Sequence, residues 1–147
     1  MLVATRYHDI SCGHRVVGHE NKCRHLHGHN YRVTFTVEMD EVDATDAVGR
    51  VLDFSVIKDR LCMWLEATWD HKMLLWQNDP LLVHLTALGG ICAESIVIVP
   101  FNPTAENMAQ YLVTVIGPAM LHGTGTKLIK CVVEETRKCA AEFSCSR

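Results

Sequence analysis

The chain has 147 residues, 48% of them hydrophobic and 21% charged, with a net charge of −3. That size and balance predict one globular domain, residues 1–147, with enough apolar material for a real core. The charge supplies no field to gather nucleic acid or a membrane surface, and no apolar run approaches the roughly 20 residues of a membrane helix. The N-terminus, MLVATRYHDIS, carries charges and a histidine within its first nine residues. It does not read as a signal peptide, so the expected compartment is the cytoplasm. The seven cysteines are odd in number and irregularly spaced, with no CxxC. A disulfide framework or a Cys-rich zinc module is not expected, and most of these thiols read as small buried hydrophobes.

Residues 2–10 form a plausible first strand. From His29 the chain alternates, with Tyr31, Val33, Phe35, Val37 and Met39 on one face and Asn30, Arg32, Thr34, Thr36 and Glu38 on the other. This is a half-buried strand of about eleven residues. Residues 40–50 are a polar turn. In LDFSVIKDRLCMWLEATW, Ile57, Leu61, Trp64, Leu65 and Thr68 fall at helical spacing, and Asp53 or Ser55 can cap the start. Residues 80–90 read as a short helix ended by Gly89-Gly90. Residues 94–101, ESIVIVPF, are a strand. Pro103 and Thr104 open a second long helix with Ala105, Met108, Ala109, Leu112, Val115 and Ile116 on one face, stopped at Gly117-Pro118. KLIKCVVEET, 127–136, is a last strand with Cys131, Val133 and Glu135 on one face. The first two strands look like a hairpin, and strands and helices do not strictly alternate. The expected class is α+β, an antiparallel sheet with two main helices on one face.

Residues 23–31 read CRHLHGHNY, which holds three of the nine histidines. His27 and His29 at i and i+2 of a strand put both imidazoles on one side, about 7 Å apart at the backbone. That suits two ligands of one ion. A catalytic zinc takes three protein ligands and keeps a fourth position open. His14, in SCGHRV at the end of the first strand, is the third candidate because a hairpin would deliver it beside His27. His25, His19, Cys12 and Cys23 compete with it, and a His-rich surface turn without metal is the plainer alternative. Cys23 fits equally as a ligand or as a nucleophile or base. Asp70-His71 is an acid–imidazole pair near a helix end, or simply a solvated turn. Glu135 continues an apolar strand face. A carboxylate turned inward needs a partner, and a guanidine-like ligand edge would serve; a plain strand-end carboxylate is the alternative.

HRVVGHENKCRHLHGHNY resembles the signature of the 6-pyruvoyltetrahydropterin synthase and 6-carboxytetrahydropterin synthase family. LDFSVIKD, WDHKML, NPTAENMAQYL and VVEET are similar, in order, to four further motifs of that family. Together the five run from residue 11 to about 137. The resemblance implies a tunnelling fold whose subunits join their sheets into a barrel, usually as homohexamers with sites between subunits. It implies His14, His27 and His29 as zinc ligands and Cys23 as the catalytic thiolate. Asp70 and His71 would orient and relay charge, usually across a subunit boundary. Glu135 would hold the pterin's amino–amide edge, with Thr104 and Glu106 lining the pterin pocket. The substrate would be 7,8-dihydroneopterin triphosphate, and Arg15, Lys22, Arg24 and Lys72 would steer its triphosphate unless they are ordinary surface charge. Cys23 and the first His of His-Gly-His are four apart, as in the 6-carboxy branch, which feeds 7-deazaguanine synthesis. A 6-pyruvoyl product is the alternative, and a non-catalytic zinc-binding module is the reading from another class. The chain departs from the family at Cys12-Gly13, where small residues such as Ala-Ala are usual and Cys12 could approach the metal. It departs also at His25, a rival ligand, and in the long segment 80–93. The tail, 139–147, carries no interpretable signal.

Overall fold

The computed structural model describes residues 1–145. Six strands form one sheet, in the spatial order Ile96–Val99 (β4), Met73–Trp76 (β3), Ala4–His14 (β1), His27–Met39 (β2), Thr126–Thr136 (β5) and Cys139–Ser144 (β6). β1 (Ala4–His14) and β2 (His27–Met39) are the expected hairpin, in antiparallel register from Ala4 opposite Val37 to His14 opposite His27. β5 (Thr126–Thr136) pairs antiparallel with the far side of β2, with a register shift at Thr36/Val37, and β6 (Cys139–Ser144) folds back along β5. The inner face of β2 is the alternation seen in the sequence, with Tyr31, Val33, Phe35 and Val37 all buried.

Two long helices cover that face. The first, α1, runs from Phe54–Ile57 through a π-helical turn at Lys58–Cys62 to Met63–Thr68. Asp53 caps it by accepting the Ser55 amide. After β3 (Met73–Trp76) come two short helices, α2 (Leu82–Ala87) and α3 (Gly90–Glu94), and then β4 (Ile96–Val99). The second long helix, α4, begins at Ala105–Tyr111, widens into a π turn at Leu112–Ile116 and ends at Gly117–Met120. Its cap is Thr104, which accepts the Asn107 amide. Ile57, Leu61, Leu65 and Trp69 from the first helical stretch meet Met108, Ala109 and Leu112 from the second in one core. Each such fully buried side chain contributes about 1.5–3 kcal/mol of transfer free energy.

Four features differ from the sequence expectation. The first strand continues to His14 rather than ending near residue 10. The sheet is mixed: β1, β2, β5 and β6 are antiparallel as expected, but β3 runs parallel to β1 and β4 parallel to β3. β3 gives no periodic signal because it is four residues long and its middle two, Leu74 and Leu75, are both buried. The chain needs the α2–α3 crossover to return for a parallel pairing, which accounts for the long segment 80–93. Finally, the π turn of α4 rotates its apolar face. Val113 is 2% exposed and belongs to the core, while Val115, expected inside, is 47% exposed. Among the described residues no helix is long and apolar enough to cross a membrane.

Candidate active site and metal centre

The β1–β2 register carries His14, His27 and His29 to one end of the sheet's inner face. His14 lies directly opposite His27, and Cys12 opposite His29. The ligand nitrogens of the three histidines all lie within 4.8 Å of one another, and these residues are a group able to hold a metal ion. His14 is 1% exposed, sealed in by the chain entering α4.

The hydrogen bonds define what the rings offer. His14 Nδ1 lies 2.6 Å from the Pro103 carbonyl and His27 Nδ1 2.7 Å from the His25 carbonyl. A carbonyl only accepts, so each Nδ1 carries the ring proton and each Nε2 presents a bare lone pair. Those two Nε2 atoms stand 3.0 Å apart. The third, His29 Nε2, is buried with no hydrogen-bond partner. The Glu135 carboxylate adds two more acceptors, 3.8 Å from His14 Nε2 and 3.7 Å from His29 Nε2. Converging acceptors without a proton between them repel, and a cation at their centre reverses the sign. The donor set of three neutral imidazoles fits a metal that keeps an open coordination position.

Burial pushes His14 down to about 4, further lowered by His27 and His29 and opposed by its bond to Pro103. Burial lowers His29 as well, with Glu135 pulling the other way. The unfolded chain therefore takes up the His14 proton first as pH falls. Metal-free protein is expected to keep this contribution above pH 6.5 and to lose it between 6.5 and about 4, up to about 3 kcal/mol. The thermal midpoint of chelator-treated protein against pH measures it.

The rival ligands are placed elsewhere. His25 is exposed and supplies only its carbonyl. Cys12 faces inward, but burial pushes its thiol up to about 12, helped by Asp70, and its S–H donates to the Gly13 carbonyl at 3.6 Å. Its sulfur is not among the ligand atoms that converge in the His14, His27 and His29 group.

Cys23 sits on a single 3-10 turn, Lys22–Arg24, beside the histidines. It lines a cavity of about 340 Å³ together with His19, Thr104, Glu106 and Glu135. Five of the residues singled out in the sequence thus share one cavity whose Glu135 wall also faces the three-histidine group. The fourth wall is Cys139, Ala140 and Ala141 of β6, drawn from the tail in which the sequence showed no signal.

The loop that carries Cys23 is pinned by groups that only the tertiary structure pairs. Arg15 binds the buried Asp79 carboxylate at 2.7 Å and the Arg24 carbonyl at 3.0 Å. The Asn102 amide group exchanges two hydrogen bonds with the main chain of Val17. Arg15, one of the candidates for steering phosphate, is held in this clamp. Asp79→Ala leaves the Arg15 cation uncompensated and is expected to cost about 3 kcal/mol, lowering the thermal midpoint in calorimetry while one metal per chain is retained.

Asp70 and His71 do not join this cavity. They stand on the other face of the sheet, beside Ser11 and Asn30. The Ser11 amide donates to Asp70 Oδ1 at 2.9 Å, and His71 Nδ1 donates to Asp70 Oδ2 at 2.7 Å. Burial raises the Asp70 carboxyl, but the Ser11 amide and His71 outweigh it and hold it below the usual carboxylate range. The pair fixes the His71 tautomer and leaves Nε2 free. His71 is 80% exposed on its side chain and has a φ of 58°, a left-handed backbone that costs a non-glycine residue about 1 kcal/mol or more. The imidazole is thus oriented, held in an uncommon backbone conformation and turned outward.

Fold and site together define an α+β protein of the tunnelling-fold class with a three-histidine group able to hold a metal ion. The family model described as 6-pyruvoyl tetrahydropterin synthase matches residues 4–145. The chain belongs to that family, whose enzymes are lyases acting on a pterin triphosphate. Among curated proteins it is 34% identical over 142 residues to the 6-carboxy-5,6,7,8-tetrahydropterin synthase of Rickettsia typhi, covering 97% of this chain and 99% of that one. It is 34% identical over 128 residues to the protein of the same name from Aquifex aeolicus, covering 84% and 76%. Solved structures share the fold. An uncharacterized protein from Wolinella succinogenes superposes with a TM-score of 0.82 at 24% identity, covering 97% of both chains. The 6-pyruvoyltetrahydropterin synthase of Plasmodium vivax, a catalytic-residue mutant, gives 0.71 at 17% identity, covering 97% of this chain and 98% of that one.

Proposed function

We propose that this chain is a zinc-dependent 6-carboxy-5,6,7,8-tetrahydropterin synthase. It would convert 7,8-dihydroneopterin triphosphate and water to 6-carboxytetrahydropterin, acetaldehyde and triphosphate, in 7-deazaguanine (queuosine-type) synthesis in the cytoplasm. The observation that carries the reading is the convergence of the bare Nε2 atoms of His14 and His27 with the unpartnered Nε2 of His29, beside a cavity that also holds Cys23 and Glu135. The 6-carboxy branch is supported by the names of the relatives that match nearly the whole chain and by the four-residue step between Cys23 and His27.

The residues take these roles. His14, His27 and His29 hold the zinc, which when bound acts as a Lewis acid toward side-chain oxygens of the substrate. Glu135 accepts two hydrogen bonds from the amino–amide edge of the pterin and fixes the ring in the cavity. Thr104 and Glu106 line the ring's other side. Cys23, as thiolate, takes and returns protons at the side-chain carbons. Asp70 orients His71, whose free Nε2 relays the proton when a neighbouring subunit presents it. The working unit is then a homohexamer of single-domain chains. Its subunits extend their sheets through the open edges β4 and β6, with sites between copies and no role for nucleic acid or membrane.

Zinc-loaded protein incubated with 7,8-dihydroneopterin triphosphate tests the reading by product mass and acetaldehyde release. Acetaldehyde with a 6-carboxy product supports it. A 6-pyruvoyl product without acetaldehyde moves the enzyme to the other branch. Zinc binding without turnover favours a non-catalytic module.

A further inference from the structure

We infer that His19 is the residue that receives the phosphate-bearing end of the substrate and distinguishes a phosphorylated pterin from a bare one. The inference rests on the pterin triphosphate reading above. It starts from a mismatch: the cavity beside the metal-binding group carries two carboxylates, Glu106 and Glu135, and neither Lys nor Arg is among the residues lining it. A polyphosphate entering there needs a strong N–H donor.

The donors are few. Thr104 Oγ1 accepts from the Asn107 amide and keeps only a neutral hydroxyl to donate, and thiols donate weakly. His19 has its tautomer fixed by the main chain. The Asn21 amide donates to His19 Nδ1 at 2.9 Å, so the ring proton is on Nε2, the nitrogen left for a ligand.

Position points the same way. His19 and Cys23 share the loop 15–26, which is closed by the bond from the Val16 amide to the Cys23 carbonyl. Glu135 and Thr104 come from the end of β5 and the start of α4. A ligand with its ring edge at Glu135 and its reacting side chain at Cys23 carries its phosphate onward to that loop. Lys22, on the same loop, is exposed and is not among the residues lining the cavity, and the other neighbouring cations are already in use. Arg15 is bound to Asp79, Arg24 donates to the carbonyls of Glu20 and Asn21, and Lys72 donates to that of Glu94.

Zinc-loaded protein is titrated with neopterin triphosphate and with neopterin, both fully oxidised so that turnover does not intervene, following pterin fluorescence. The wild type is expected to bind the triphosphate more tightly. His19→Phe keeps a ring and removes the donor. It is expected to lose roughly 10–100-fold in affinity for the triphosphate, the range of one hydrogen bond to a charged group, and to bind neopterin as the wild type does. His19→Gln restores an N–H and is expected to recover part of the loss. With the dihydro substrate, KM rises in His19→Phe while kcat stays near wild type. Zinc content and thermal midpoint are read for each variant. Unchanged triphosphate affinity in His19→Phe overturns the inference, as does an equal loss for both ligands, which would make His19 a packing residue of the loop. If the wild type binds neither ligand, the pterin reading itself fails and takes this inference with it.

Discussion

Cys23→Ala is expected to keep one zinc per chain and to lose turnover by about a thousand-fold or more. The structure separates the two properties. The metal-binding group is closed by His14, His27 and His29, and Cys23 stands outside it on the 3-10 turn that lines the adjoining cavity. Removing the thiol therefore takes away no ligand. General acid–base groups contribute typically 10²–10⁴-fold, and a group that both takes and returns the proton lies toward the upper end. Zinc is counted by atomic absorption and turnover by product formation. A variant that loses zinc along with activity would show that Cys23 is a ligand. Cys23→Ser separates the thiol's acidity from its volume, because a serine hydroxyl fits the space but does not ionise near neutral pH.

Two inactive variants, Cys23→Ala and His71→Ala, are expected to complement each other. Cys23 faces the cavity on the inner side of the sheet, while Asp70 and His71 stand on the outer side beside Ser11 and Asn30. No rotation of side chains brings them together within one chain. A site that uses both must take Cys23 from one copy and His71 from another, a heterologous contact that closes into a ring when repeated. The variants are dissociated, mixed in equal amounts and reassembled. Random assortment gives about a quarter of the sites a native Cys23 and a native His71 together, and activity should recover toward that fraction. Each variant reassembled alone stays inactive. Mixtures that remain inactive, with the oligomer restored, would mean that His71 serves only its own chain.

How much of this was legible beforehand varies by element. The inner face of β2 was, because a strand half in water must alternate, and Tyr31 to Val37 do so without a break. So were the two helix starts, since Asp53 and Thr104 are residues whose side chains satisfy free amides in the first turn. The hairpin followed from that strand and its partner, and it placed His14 opposite His27. β3 and the parallel half of the sheet were not legible. A four-residue strand with two adjacent buried leucines has no period, and its direction is set by the crossover. β6 was missed for a related reason: Cys139–Ser144 is an edge strand, mostly solvent-exposed, and pairs with β5 without an apolar stripe of its own.

The sequence by itself determined the donor types and their parity: two histidines at i and i+2 of one strand, a third candidate at the hairpin's end, an Asp-His pair and a carboxylate continuing an apolar strand face. Strand geometry is local, so spacing alone carries those facts. The tertiary structure decided which donors are bare. The carbonyls of Pro103 and His25 hold the protons of His14 and His27 on Nδ1, and the Cys12 sulfur, bonded to the Gly13 carbonyl, stays outside the converging group. It decided too that Arg15 clamps a loop against Asp79, 64 residues away, and that His71 faces away from Cys23. Protonation, burial and sidedness depend on groups distant in sequence that packing alone brings together.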